Sequence, residues 1–118
     1  SYSAIIHEAA LRMGFGGPSV SHGQLTHLLD MGEMPHVTIR VIPFGTAYFP
    51  STGQSFDYLT GAVPQLDTVQ LDTHHGGCGF LDAEAQLTKY RAVLDHMTSC
   101  ALGPAESHDF IHNLIREV

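Results

Sequence analysis

Apolar and polar residues alternate most regularly between positions 37 and 44, where the sequence reads Val-Thr-Ile-Arg-Val-Ile-Pro-Phe. β-branched residues at every second position are typical of a strand with one buried face. Pro43 has no backbone N–H group, so it predicts either the end of this strand or an edge position. Shorter strands are predicted at 55–60, 69–73 and 78–81, separated by segments rich in turn-forming residues.

Helices are predicted where apolar residues recur every three or four positions. Leu25, Leu28 and Leu29 indicate a helix that begins at Pro18, with Gly17 as its cap. Two further stripes predict two C-terminal helices: Leu87, Tyr90, Leu94, Met97 and Ala101, then Phe110, Ile111, Leu114 and Ile115.

Together these elements favour an α+β fold, with a small, mainly antiparallel sheet packed by an N-terminal helix and a C-terminal helical hairpin. The segment 2–11 begins as a strand, and its second half either continues the strand or becomes a helix. The segments between the strands are too short for helical crossovers, which parallel neighbours would need. A chain of 118 residues suits one domain, so residues 1–118 are expected to form a single domain.

Composition narrows the class of protein. Apolar residues make up 43% of the chain, which is enough for a core and too much for a disordered segment. No apolar run approaches the roughly 18–20 residues of a membrane span, and no signal peptide is visible. Cys78 and Cys100 are too few for a disulfide framework, so both are expected to be reduced, as in a cytoplasmic protein.

The net charge is −7, and the five basic residues are scattered along the sequence. They are Arg12, Arg40, Lys89, Arg91 and Arg116. Binding to nucleic acid requires a clustered basic face that neutralises phosphates. This segment is therefore not expected to bind DNA by itself.

His74, His75 and Cys78 are the residues with the most obvious metal-binding chemistry, because imidazole and thiolate are good zinc ligands. Adjacent histidines in a strand point to opposite faces, however, and no second ligand pair stands beside them. They are weak candidates, and ordinary polar loop residues are the favoured interpretation. The sequence therefore predicts neither a metal site nor a cofactor.

Glu8 and Asp72 are acids inside otherwise apolar segments, and Arg40 lies in the middle of the clearest strand. A buried carboxylate without a partner is costly, so an embedded acid either faces solvent or is paired. One interpretation is a ligand- or partner-binding pocket with two acids and one arginine; the other is a solvated sheet face. No nucleophile or phosphate-binding motif accompanies them, so no catalytic residue is predicted.

An ordered set of short motifs, spread over nearly the whole chain, resembles one family. The motifs are H-E-A-A-L-R at 7–12, G-G-P at 16–18, Q-L-x-x-L-L at 24–29, P-x-V-T-I-R-V-I-P-F at 35–44, S-F-D-Y-L at 55–59, V-Q-L-D-T at 69–73, K-Y-R at 89–91 and A-L-G-P-A-E-S at 101–107. That family is the antitoxin-like C-terminal domain, of unknown function, of bacterial helix-turn-helix regulators of the xenobiotic-response-element type. The resemblance implies a DNA-binding helix-turn-helix domain upstream of this chain. It also implies a small partner protein encoded nearby.

We therefore expect an effector- or partner-sensing domain of a transcription regulator, which is neither DNA-binding by itself nor an enzyme. Two alternatives belong to other classes. One is a metal-dependent hydrolase that uses the histidine and carboxylate cluster, including His7. The other is a purely structural module that forms a homodimer.

Overall fold

The computed structural model describes residues 1–46, 55–72 and 76–118, which form two compact units. Unit 1 contains the described residues 1–46 and 97–118, and unit 2 contains 55–72 and 76–96. The elements in chain order are β1 (Tyr2–His7), α1 (Glu8–Leu11), α2 (Pro18–Gly32), β2 (Val37–Ile42), β3 (Phe56–Leu59), a 3₁₀ turn (Pro64–Leu66), β4 (Thr68–Asp72), β5 (Cys78–Leu81), α3 (Glu84–Cys100) and α4 (Pro104–Ile115). The predicted α+β class is confirmed.

Unit 1 is built on two parallel strands. β1 pairs with β2 from Tyr2 opposite Val37 to His7 opposite Ile42. Parallel neighbours need a long connection, and the 15-residue helix α2 supplies it. The sequence predicted mainly antiparallel pairing because the later strands are closely spaced; the first pair is parallel because its connection is much longer.

One face of this parallel pair is covered by helices. α4 packs against both α2 and β2. The buried apolar core consists of Leu11, Leu25, Ile39, Val41, Ile111 and Leu114. Burial of a side chain of this size contributes roughly 1.5–3 kcal/mol, so this cluster is the main source of stability in unit 1.

The start of α2 is set by the Gly17-Pro18 pair, as predicted. Gly17 has a φ of 87°, which favours glycine, and Pro18 occupies the first turn of the helix. The helix ends at Gly32, three residues before Pro35. The polypeptide therefore leaves α2 close to the start of β2.

Unit 2 contains a three-stranded antiparallel sheet in the order β3-β4-β5. Phe56 lies opposite Leu71 in one pairing, and Val69 lies opposite Leu81 in the other. Val69 of β4 and Leu87 of α3 are fully buried, and Tyr90 of α3 packs beside them. The antiparallel sheet and the two C-terminal helices are thus as predicted. The buried residues of α3 belong to the core of unit 2, whereas those of α4 belong to the core of unit 1.

None of the helices in the described parts of the chain is both long and apolar enough to cross a membrane.

Candidate functional site

The chain changes from strand to helix at His7. The His7 backbone is extended, with φ −74° and ψ 144°, and its Nδ1 atom accepts a hydrogen bond of 3.0 Å from the backbone N–H of Ala9. This bond caps α1. The His7 ring also meets the ring of Phe44 edge-on, with 5.4 Å between the centroids. His7 therefore has a structural role at the point where β1 ends.

Glu8 is the first residue of α1, and only 6% of it is exposed. Its Oε1 atom accepts a hydrogen bond of 2.8 Å from the backbone N–H of Phe44, and its Oε2 atom accepts one of 2.6 Å from Nε of Arg12. Arg12 also donates from Nη1 to Oε2 of Glu117 over 2.8 Å. We call these four residues the Glu8 clamp. It joins α1, the segment after β2 and the C-terminal end of the described chain.

The hydrogen bonds of the clamp keep Glu8 ionised. The backbone N–H of Phe44 lowers the pKa of Glu8 most, and Arg12 lowers it further, whereas burial opposes this shift. A carboxylate with both oxygens engaged and a lowered pKa is a weak proton acceptor. This arrangement suits an anchoring role better than acid–base chemistry.

The structure places Glu8 and Arg40 in unit 1 and Asp72 in unit 2. Arg40 is half-buried in β2, in register with Ile5 of β1. The cation that pairs with Glu8 is Arg12 rather than Arg40. Asp72 ends β4, where it is exposed and opposite Cys78. The spacing of four residues between Glu8 and Arg12 was the signal for this pair on a helix.

The weak metal-binding candidates are only partly covered by the structure. His74 and His75 lie outside the described residues. Cys78 is exposed and has a free thiol. Within 1–46, 55–72 and 76–118, no three His, Cys, Asp or Glu side chains are grouped so that they could hold a metal ion.

A second polar cluster lies in unit 2, around the buried side chain of Asp67. Tyr58 donates its hydroxyl to Oδ2 of Asp67 over 2.6 Å, and the backbone N–H of Gly61 donates to Oδ1 over 2.8 Å. Nη1 of Arg91 donates to the Tyr58 hydroxyl over 3.3 Å, and Nη2 donates to Glu84 over 3.0 Å. The bond from Tyr58 is the main reason that the pKa of Asp67 is lowered, while burial raises the pKa of Tyr58. These hydrogen bonds join the two ends of the segment that connects β3 to β4.

Unit 1 has an apolar cleft of about 330 Å³ between α1, the following loop and α2. Eight of the ten side chains that line it are apolar, and none is ionisable. The remaining two are Ser21 and Gln24, both on α2. We call this feature the α1–α2 cleft. Its α1 wall carries Ala10 and Leu11, between the two clamp residues Glu8 and Arg12.

A tight turn at residues 14–17 stands at the mouth of the cleft. The backbone N–H of Gly17 donates to the carbonyl of Gly14 over 3.1 Å, and Gly16 has a φ of 85°, as expected for a type II turn. Phe15 stands at the tip of this turn and is 80% exposed. Met13 and Val20, which also line the cleft, are largely exposed too.

The family model described as "Domain of unknown function (DUF5753)" matches residues 1–113. The chain belongs to this family. No curated protein and no solved structure gives a significant match.

The span matched to DUF5753 contains the whole α1–α2 cleft and three of the four clamp residues. Glu117 lies beyond its end. The family description names no activity.

The α1–α2 cleft was not predicted from the sequence. Residues 13–17, Met-Gly-Phe-Gly-Gly, form a glycine-rich run that lacks the lysine of a phosphate-binding loop. The sequence signal for the cleft is Phe15. A large aromatic residue between two glycines stands at the tip of a turn, where the turn itself offers no apolar neighbours to cover it.

Proposed function

We propose that this domain is the effector- or partner-sensing part of a cytoplasmic helix-turn-helix transcription regulator of the xenobiotic-response-element type. DNA contact is made by a helix-turn-helix domain elsewhere in the same protein. The partner is a small protein encoded nearby. The observation that carries the effector-sensing part of the proposal is the α1–α2 cleft, because exposed apolar side chains around a concave surface are typical of a binding site.

The distribution of cations supports the proposal that another domain makes the contact with DNA. Arg12 is engaged by Glu8 and Glu117, and Arg91 by Glu84. Both guanidinium groups are therefore neutralised by carboxylates of the chain itself. Arg40 is half-buried in β2, and the two remaining cations, Lys89 and Arg116, are exposed in different units. Strong binding to DNA requires several cations that meet neighbouring phosphates together.

The state of the buried carboxylates supports a role other than catalysis. Glu8 and Asp67 each accept hydrogen bonds at both oxygens, and both have a lowered pKa. A general base works best when its pKa lies near the working pH. These two acids are shifted away from that range and already hold neighbouring segments in place.

If another domain makes the contact with DNA, the 118-residue chain alone should not bind duplex DNA. Fluorescence anisotropy with a labelled promoter fragment should show no binding tighter than the non-specific range of roughly 10⁻⁴–10⁻⁶ M at physiological salt. The positive control is the full-length gene product on the same fragment. Tight binding by the chain alone, weakening steeply as salt is added, would contradict the proposal.

A further inference from the structure

We infer that the α1–α2 cleft binds a small, uncharged molecule with a mainly apolar body and one hydrogen-bonding group. The inference rests on the proposed function, because it names the chemical class of an effector. It concerns only residues of unit 1.

The size and the lining of the cleft select the ligand class. A volume of about 330 Å³ lies at the lower end of small-molecule sites, which span roughly 300–1,000 Å³. None of the ten lining side chains is ionisable. A charged ligand would meet no opposite charge among these side chains, so it would gain less from the cleft than an uncharged ligand of the same shape.

Ser21 and Gln24 provide the polar contact. They are three residues apart on α2 and therefore lie on the same side of the helix. Neither side chain is hydrogen-bonded to any of the residues that the structure describes. Both can donate and accept, so a ligand with a single N–H, hydroxyl or carbonyl group could be oriented by them.

Phe15, Met13 and Val20 provide an adaptable apolar rim. Phe15 is presented by the turn at residues 14–17, whose conformation requires glycine at position 16. A Cβ atom on Gly16 would also lie 3.0 Å from the side chain of Val20, so the turn and α2 are already in close contact. The rim is therefore largely formed before binding, and the flexible Met13 side chain can adjust to the shape of the ligand.

The dimensions favour a small molecule over a protein segment. A helix that docks in a groove uses anchors over two or more turns, and stable protein interfaces bury about 800 Å² on each partner. A cleft of about 330 Å³, bounded by two helices and one turn, suits a single compact ligand.

The probe for this site is phenylnaphthylamine, an uncharged fluorophore with one N–H group and two aromatic portions. We expect saturable binding of one probe per chain, seen as an increase in fluorescence. Its sulfonated analogue, anilinonaphthalene sulfonate, has the same skeleton with a negative charge. We expect that analogue to bind at least about tenfold more weakly, a difference of about 1.4 kcal/mol.

Position 10 provides the decisive variant. Ala9 and Ala10 are both exposed on the same short helix, but Ala10 lines the cleft and Ala9 does not. Ala10→Phe should fill the cleft and weaken binding of phenylnaphthylamine at least about tenfold. Ala9→Phe should bind like the wild type. Equal binding by the two variants, or no saturable binding by the wild-type chain, would overturn the inference.

A second pair of variants keeps the test independent of folding. Phe15→Ala removes an exposed side chain from the rim and should weaken binding several-fold, whereas Phe80→Ala, an exposed position in unit 2, should not. If the two behave alike, the inference fails. It also fails if Ala10→Phe abolishes self-association while the wild type binds no probe, because the occupant is then a second copy of the chain. Loss of the small-molecule site would leave partner-dependent regulation intact, so the two proposals fail separately.

Discussion

Replacing Glu8 with Ala is expected to lower the free energy of unfolding of the chain by about 2–3 kcal/mol. The substitution removes both acceptors of a nearly buried carboxylate, so the Phe44 backbone N–H and the Arg12 guanidinium lose a partner. Hydrogen bonds to charged groups are worth more than neutral ones, typically about 1.5–3 kcal/mol each. Urea-induced unfolding followed by circular dichroism measures the change.

Glu117→Ala is the matched control for Glu8→Ala. It removes the other carboxylate that contacts Arg12, but that pair is exposed to solvent. Exposed ion pairs contribute little to stability, so its effect should be much smaller. Equal losses in the two variants would mean that Glu8 acts only as a surface charge, and the clamp would then have no special role.

The pH dependence of the free energy of unfolding is a second measurement of the contribution of Glu8. The pKa of Glu8 is lower in the folded chain than its ordinary value of 4.5. The contribution of Glu8 is therefore fully present above that value and is lost as the pH falls through the folded pKa. Glu8→Gln should remove this part of the acid destabilisation. Asp67 has the same sign, so some acid dependence should remain in the variant.

Ser107→Ala is expected to lower the free energy of unfolding by about 2 kcal/mol. Ser107 is fully buried on α4, where its hydroxyl oxygen accepts from the Val41 backbone N–H over 2.9 Å. The hydroxyl donates to the Leu102 carbonyl over 3.3 Å. Val41 is in β2, and Ser107 satisfies a backbone donor of that strand. Alanine would leave this donor buried without a partner.

Ser19→Ala provides the comparison, because Ser19 is exposed in the first turn of α2. Removing its hydroxyl leaves no buried donor unpaired, so the midpoint of urea unfolding should change far less. If Ser107→Ala unfolds at the same urea concentration as Ser19→Ala, then the bond between α4 and β2 contributes nothing measurable.

Elements with a strong local signal could be predicted from the sequence. The alternation in 37–42 sufficed for β2, and Gly17 and Pro18 sufficed for the start of α2. The parallel pairing of β1 with β2 could not be predicted, because a residue pattern fixes which face of a strand is buried but not its neighbour. The connection between these two strands is long enough for parallel pairing, whereas the later strands are closely spaced.

The candidate site was only partly predictable, for similar reasons. Glu8 stood out because an acid inside an apolar segment needs a partner, but that requirement does not say which cation provides it. Arg40 was considered because it is central in a strand, whereas Arg12 is one helical turn from Glu8. The α1–α2 cleft depends on how α1 and α2 pack in three dimensions, and no short motif encodes that packing. Ser107 looked like any other polar residue in a helix.

The most direct test of the sensing role is the affinity of the full-length gene product for its promoter DNA, measured with and without the small partner protein. Coupling between two sites typically amounts to a 5–150-fold change in affinity. We therefore expect the partner to shift the dissociation constant by at least about fivefold, and to leave the DNA affinity of a truncated product without this domain unchanged. An equal shift in the truncated product, or binding of the partner without any shift, would contradict the account.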